Sequence, residues 1–446
     1  MRRAVVIVGT LSLVGCGFAL RRPSATRTLP DDARRIADEF VAAGRADTGT
    51  VEERLRLDRA LLARLDRRRA SDFSSDSSRV FAAIVRATIG ADSAMQSCRH
   101  WTDASLAQGV ACYRARVRSY SGVDAEPDTL LAIGRRELAR IEGEMNRISA
   151  RAFGGRAADS VLATLQAAPR FTTAAAVDSA AAAIIAAAST AAGQWFGQTP
   201  RHGVALRPAE NPSEAAPAAT YYASAATGAV GDSAVIYLNY SAVTRLPRGA
   251  LEPLMFHEGI PGHHLQIGTA RGRPEWHPIL ALAPRGAFAE GWALYAEQFA
   301  DQMGLVRNDT VRLMLLNSER QRAARLVADP AIHLMGWARD TAMAFLVAHG
   351  MSREQAANEF ARYTILPGQA TTYTLGLMAV REHRRRSEQI RGAAFDLRRF
   401  HDRLLGFGSV PLPVIGEEEA SSGTRPSQTG RADTLGATVP HAVGER

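Results

Sequence analysis

The stretch Phe256-His-Glu-Gly-Ile-Pro-Gly-His-His-Leu-Gln266 gathers three histidines and a glutamate within eight residues of a 446-residue chain that holds 11 histidines. Leu251, Leu254, Met255 and Phe256 precede it at helical spacing, so His257 and Glu258 are expected at the end of a helix. In zinc hydrolases the pattern His-Glu-x-x-His turns two imidazoles to one helical face, while the glutamate stays off the metal. Its carboxylate takes a proton from a water whose pKa the metal has lowered. Here Pro261 occupies the fifth position, and the next histidines stand six and seven residues after His257. On an ideal helix the first would lie about 120° off the face and the second about 10.5 Å along the axis. Pro261 lacks a backbone donor and Gly262 is permissive, so the helix is expected to bulge there, allowing either His263 or His264 to join His257.

A third ligand must come from elsewhere. Phe288-Ala-Glu-Gly-Trp-Ala-Leu-Tyr-Ala-Glu297 reads as a helix with Glu290 and Glu297 seven residues apart, hence on one face. Glu290 follows His257 by 33 residues and completes a two-histidine, one-glutamate set, which leaves a fourth position for water in a catalytic zinc site. The bland alternative is a pair of solvated helix glutamates. Further on stand Arg325-Leu-Val-Ala-Asp-Pro-Ala-Ile-His333, Glu359-Phe-Ala-Arg362-Tyr363 and Pro367-Gly-Gln369-Ala-Thr-Thr-Tyr373. Attack of water on a peptide carbonyl creates an oxyanion that needs a donor, a role open to Tyr373 or His333. A peptide terminus needs a cation or donors, a role open to Arg362 or Gln369. Each of these four residues can equally serve as a buried structural hydrogen-bonding group.

The chain begins Met1-Arg-Arg3, continues with an apolar run from Ala4 to Val14 too short to span a bilayer, and reaches Leu13-Val-Gly-Cys16. This resembles a bacterial lipoprotein signal, which implies cleavage before Cys16 and a lipid on that cysteine; a plain secretory leader is the alternative. Gly17 in place of aspartate favours the periplasmic face of the outer membrane. The other two cysteines, Cys98 and Cys112, are 14 residues apart. They either form one disulfide, worth about 3 kcal/mol for so short a loop, or remain two buried thiols.

Hydrophobic residues make up 46% of the chain and charged residues 22%, a balance that supports a large core. The net charge is +9 and every basic residue is arginine. The arginines are scattered, with no stripe of interleaved aromatics, so nucleic acid is not an expected partner. Apolar spacing predicts helix within 31–70, over 128–153 and over the alanine-rich 173–193. Between Gln198 and Pro247 small residues dominate, and one β-rich run, Ala234-Val-Ile-Tyr-Leu-Asn-Tyr240, reads as a strand whose edge is open to an extended peptide. From Gly249 to about Arg403 helices return, broken at Pro261-Gly262, Pro274–Pro284 and Pro367-Gly368.

At these motifs the sequence resembles the bacterial family catalogued as domain of unknown function 885. The likeness rests on His257–Gln266, Glu290–Glu297, Arg325–His333, Pro367–Tyr373 and Phe400-His-Asp402 with Val410-Pro-Leu412, in that order from about Tyr113 to Ile415. The family is similar to zinc peptidases of the thimet oligopeptidase and Taq carboxypeptidase type. That implies a mainly α fold, a large multi-helical body with a deep cleft and a small β-sheet beside one zinc ion. It also favours His263, within a Gly-His pair, over His264 as second ligand. The chain departs from the family at Pro330-Ala331, where a Thr-Gly pair is usual, which alters the loop expected before His333, and it is short before Tyr113. The resulting division is signal 1–15, tether 16–30, helical domain 31–415 and a disordered tail 416–446. The leading expectation is an envelope zinc peptidase acting on peptides, with Glu258 as general base. The competing one is a lipoprotein binding module whose metal site is structural or vestigial.

Overall fold

Thr50 and Glu53 cap each other: Thr50 Oγ1 accepts from the Glu53 amide at 3.2 Å, and the Glu53 carboxylate accepts from the Thr50 amide at 2.7 Å. That box divides the first apolar stripe into two helices, α1 (Asp31–Ala46) and α2 (Val51–Asp66). Together with α3 (Asp76–Gln96) they bury Ile36, Phe40, Leu61, Leu65, Phe81 and Ile89 in one cluster. The computed structural model describes residues 31–46, 50–68, 76–98, 109–167, 171–200, 202–209, 220–223, 234–271, 277–406 and 408–417. Cys16, the signal and tether at 1–30, and the tail after Glu417 lie outside the described residues.

The chain continues through α4 (Gly109–Ser121), α5 (Pro127–Ala152), α6 (Ala158–Gln166) and α7 (Ala174–Trp195). A disulfide joins Cys98, after α3, to Cys112 in α4, with Cα atoms 5.5 Å apart, so the two cysteines are bridged. Proline opens α5, where its missing N–H costs nothing, and Thr173 caps α7 by accepting from the Ala176 amide at 3.1 Å.

Three strands follow: β1 (Val204–Pro208), β2 (Thr220–Ala223) and β3 (Ala234–Leu238). The strand expected at 234–240 stops at Leu238, because Tyr240 already opens the short helix α8 (Tyr240–Val243). It is also the middle strand, contrary to the expected open edge. β1 pairs with it in parallel, Val204 opposite Ala234, and β2 antiparallel, Thr220 opposite Leu238. Both rows of β3 backbone groups are consumed in the sheet, so an extended peptide cannot add to it. Among the described residues the outer strands are β1 and β2.

Helices dominate the rest: α9 (Leu251–Glu258), α10 (His263–Arg271), α11 (Gly286–Gln302), α12 (Asp309–Met335), α13 (Arg339–Ala348), α14 (Arg353–Ile365), α15 (Thr372–Arg391) and α16 (Leu397–Gly406). The fold is mainly α, with the small sheet packed beside α9. Two lengthwise pairings organise the body, α5 with α12 and α11 with α15. Pro330-Ala331, expected in a loop, lies inside α12, and His333 stands in that helix's last turn.

His401 on α16 sits in an aromatic nest, stacked on Phe196 at 4.8 Å and edge-on to Phe299 at 4.7 Å. Its Nδ1–H donates to the Trp195 carbonyl (3.1 Å), and Nε2 accepts from the Tyr295 hydroxyl (2.9 Å). Burial pushes its pKa down to about 4, with Arg384 adding to the effect. The unfolded chain therefore takes up a proton below pH 6.5 that the folded protein refuses. His401 supports stability above that pH, and its support is lost as pH falls towards 4, by about 3 kcal/mol at 1.36 kcal/mol per pKa unit. Urea unfolding at stepped pH should show wild type and His401→Gln converging in stability as pH falls from 6.5 to 4. Parallel profiles for the two proteins would contradict this.

Candidate metal centre

The short helix α9 is held from below by Met255 and Phe256, which pack with Ile236 and Leu238 of β3 and Val177 and Ile184 of α7. It ends at Glu258, and the Gly259 amide caps it on the Met255 carbonyl. The chain then turns back through Gly259–Gly262, with a cis Ile260–Pro261 bond. A Cβ on Gly262 would fall 1.9 Å from the His257 carbonyl oxygen, so only glycine allows this close return over the helix end. Trp292 Nε1 donates to the Pro261 carbonyl at 3.0 Å and fixes the turn to α11.

The helix thus stops and restarts at His263, where the sequence suggested a bulge. The two imidazoles meet edge to face with centroids 4.8 Å apart. Glu290 on α11 reaches both: its Oε2 lies 3.4 Å from His257 Nε2 and 3.7 Å from His263 Nε2. One ligand atom from each of the three lies within 4.8 Å of the others. Donors about 2.0–2.2 Å from a tetrahedral zinc stand about 3.3–3.6 Å from one another, so the donor set fits such an ion with small side-chain adjustments.

The arrangement extends behind His257. Its Nδ1–H donates to Glu297 Oε1 at 2.8 Å, leaving Nε2 free to face Glu290. Glu297 also accepts from Ser318 Oγ (2.7 Å) and pairs with Arg322 Nη2 (3.6 Å), both on α12. A carboxylate behind a ligand histidine fixes its tautomer and raises its basicity. Burial works against charge on His257, but Glu290 and Glu297 outweigh it and hold the imidazole up at about 10. Burial likewise opposes ionisation of Glu290, yet His257 and His263 keep it well below the usual carboxylate range. The same two carboxylates that favour positive charge on His257 would favour a dication held by this donor set.

His264 does not join the trio. It is buried, burial lowers its pKa, and its ring bonds the His202 backbone just before β1. Glu258 is 7% exposed, and its carboxylate makes no hydrogen bond among the described residues. Tyr373 opens α15, where Arg362 Nη1 approaches its hydroxyl at 3.5 Å. Gln369 lies in the turn before α15, with Oε1 buried and unpartnered among the described residues. His333 Nε2 bonds the carbonyl of Tyr363, the residue after Arg362 in the last turns of α14, at 3.0 Å. The seven-residue spacing of Glu290 and Glu297 was visible in the sequence, but the orienting role of Glu297 was not read from it.

Fold and site define a mainly helical protein with a His-His-Glu centre assembled from three successive helices. A family model for bacterial proteins of unknown function, DUF885, matches residues 33–418, and the chain belongs to that family. It resembles the crystal structure of a protein from Colwellia psychrerythraea (24% identity, TM-score 0.64), covering 86% of this chain and 69% of that one. A Shewanella oneidensis structure is similar at 18% identity and TM-score 0.61, covering 86% of this chain and 76% of the other. Both are described as putative lipoproteins, and at these identities the likeness concerns the fold. No curated protein matches the chain.

Proposed function

We propose that this protein is a zinc-dependent peptidase of the bacterial envelope, held at the periplasmic face of the outer membrane by a lipid on Cys16. The observation that carries the reading is the convergence of His257, His263 and Glu290 next in sequence to Glu258, whose carboxylate makes no hydrogen bond among the described residues. Zinc held by these three residues would lower the pKa of a water and polarise a peptide carbonyl. Glu258 accepts the proton of the attacking water and returns it to the leaving amine. Tyr373 donates to the oxyanion, while Arg362 and Gln369 engage the peptide. Among the described residues the donor group has three members, which favours a position open to water over a closed structural site. The Leu-Val-Gly-Cys16 signal and the lipoprotein descriptions of the two similar structures support the anchored location.

Zinc content and activity test this together. The purified protein should hold close to one zinc by elemental analysis. His263→Ala should lose most of it with its circular dichroism unchanged, whereas His264→Ala should retain it. The reverse pattern would transfer the ligand role to His264. A zinc-loaded wild type that cleaves nothing in a mixed peptide library, analysed by mass spectrometry, would favour a binding module instead.

A further inference from the structure

Asp58 occupies a core position of α2. With Leu61 and Leu65 it makes the buried face of that helix, and none of it is exposed. Neither carboxylate oxygen accepts a hydrogen bond among the described residues. One guanidinium serves two acids here: Arg54 Nε lies 2.7 Å from Asp92 Oδ2 on α3 and 3.4 Å from Asp58 Oδ1. Gln96 adds its amide to Asp92 at 3.2 Å. From α1 the facing residues are Phe40, whose ring centre is 4.5 Å from the Arg54 guanidinium, and Gly44. On the same helix Glu39 pairs with Arg64 (2.5 Å) and Asp38 with His277 (2.8 Å). Were both Asp58 and Asp92 ionised, the α2–α3 interface would carry one negative charge too many, out of water and short of donors. A proton on Asp58 removes that charge and turns the carboxyl into a donor towards Asp92. Burial, then the charge of Asp92, accordingly pushes Asp58 up to about 7 against the pull of Arg54.

What α1–α3 hold gives this proton a consequence. Among the described residues their apolar cluster takes in one side chain from elsewhere in the chain, Ile279 of the one-turn helix Pro278–Ala281. His277, just before it, is buried. Its Nδ1 accepts from the Ile279 amide at 3.2 Å, its Nε2 donates to Asp38 of α1 at 2.8 Å, and its ring meets Phe81 of α3 edge-on at 5.6 Å. This segment joins α10, which begins at His263, to α11, which carries Glu290. The first three helices thus clasp the connector between two helices of the metal centre. We propose that the proton shared by Asp58 and Asp92 is the catch of this clasp. Held, it locks α2 on α3 and the connector with them. Released as the surroundings turn from mildly acidic to neutral and above, it loosens α1 and α2 from the connector. The Cys98–Cys112 disulfide keeps the end of α3 tied to α4 in either condition. The device operates whatever reaction the metal centre performs.

The folded helices keep the Asp58 proton up to about pH 7, whereas the unfolded carboxyl gives it up near 3.8. Opening therefore becomes easier as pH rises through that interval and levels off above it. Hydrogen exchange by mass spectrometry on the full chain, corrected for the intrinsic rate at each pH, reads the opening equilibrium. Between about pH 5 and pH 8, protection of α2 and of 277–281 should fall about fiftyfold or more in the wild type. Asp58→Asn keeps the shape and carries a permanent donor, so its protection should stay flat over the same range. Its advantage over the wild type should therefore grow by that same factor. Comparison at equal pH cancels His277, His401 and the other titrating groups, which both proteins share. Should Asp58→Asn fail to fold, Asp92→Asn removes the competing charge instead and should likewise flatten the profile. A flat wild-type profile, or an equally steep one in the folded variant, would overturn the catch. Lost protection in α2 with 277–281 unchanged would overturn the clasp.

Discussion

Glu258→Gln is expected to yield a folded, zinc-loaded protein in which peptide hydrolysis falls by about a hundred- to ten-thousandfold. The substitution keeps the shape of the side chain, and Glu258 is not within the donor trio, so metal content should stay near that of the wild type. What is removed is the proton acceptor. An amide cannot take a proton from water at neutral pH, so loss of base is the dominant effect. The wild-type carboxylate makes no hydrogen bond among the described residues, and the change should therefore cost little stability. Steady-state kinetics on one peptide, with zinc analysis of the same sample, measures both quantities. Full activity would refute the mechanism, and loss of zinc would make Glu258 a ligand.

Gly376→Ala should be strongly destabilising, because its methyl would make the tightest backbone contact of any glycine among the described residues. A Cβ there would stand 1.8 Å from the Ala287 carbonyl oxygen and 2.7 Å from the Gly291 Cα, backbone atoms that no rotamer can clear. Helix propensity favours alanine by about 1 kcal/mol, so any loss arises from packing. Forcing α11 and α15 apart should cost about 3 kcal/mol or more. It should also move Glu290 relative to Tyr373, and a displacement of about 1 Å at such a site can lower a rate about a hundredfold. Gly143→Ala on α5, where a Cβ meets nothing within 4 Å, is the matched control and should leave stability equal or slightly higher. Denaturant midpoints for the two variants should separate clearly. Coincident midpoints would show that the crossing tolerates the methyl.

The helix break before His263 and the facing of Glu290 towards the histidines were legible because proline, glycine and a residue interval carry direct geometric meaning. The choice between His263 and His264 was not legible from the residues alone. Adjacent helix positions differ by about 100°, and the path through Gly259–Gly262, clamped by Trp292, decides which ring turns inward. Only the resemblance to a family favoured His263. Glu297 was visible as a neighbour on the face of Glu290, but its role depends on Ser318 and Arg322 of another helix. The placement of β3 in the middle of its sheet failed for a related reason. Its partners at 204–208 and 220–223 are short and lie in a stretch of small residues and prolines without period-two alternation.

Ser318, Arg322, Arg325, Asp329 and His333 recur every three or four residues along α12, forming one polar stripe, half-buried at the first three and buried at Asp329 and His333, on a 27-residue helix. Ser318 and Arg322, which steady His257 through Glu297, and Arg325, which packs on Tyr373 and pairs with Glu359, are therefore mounted on a single rod. A small slide or roll of that rod against α5 displaces both sets together, so the support of His257 and the setting of Tyr373 share one mechanical variable. Evolution cannot retune one end by shifting the helix without disturbing the other.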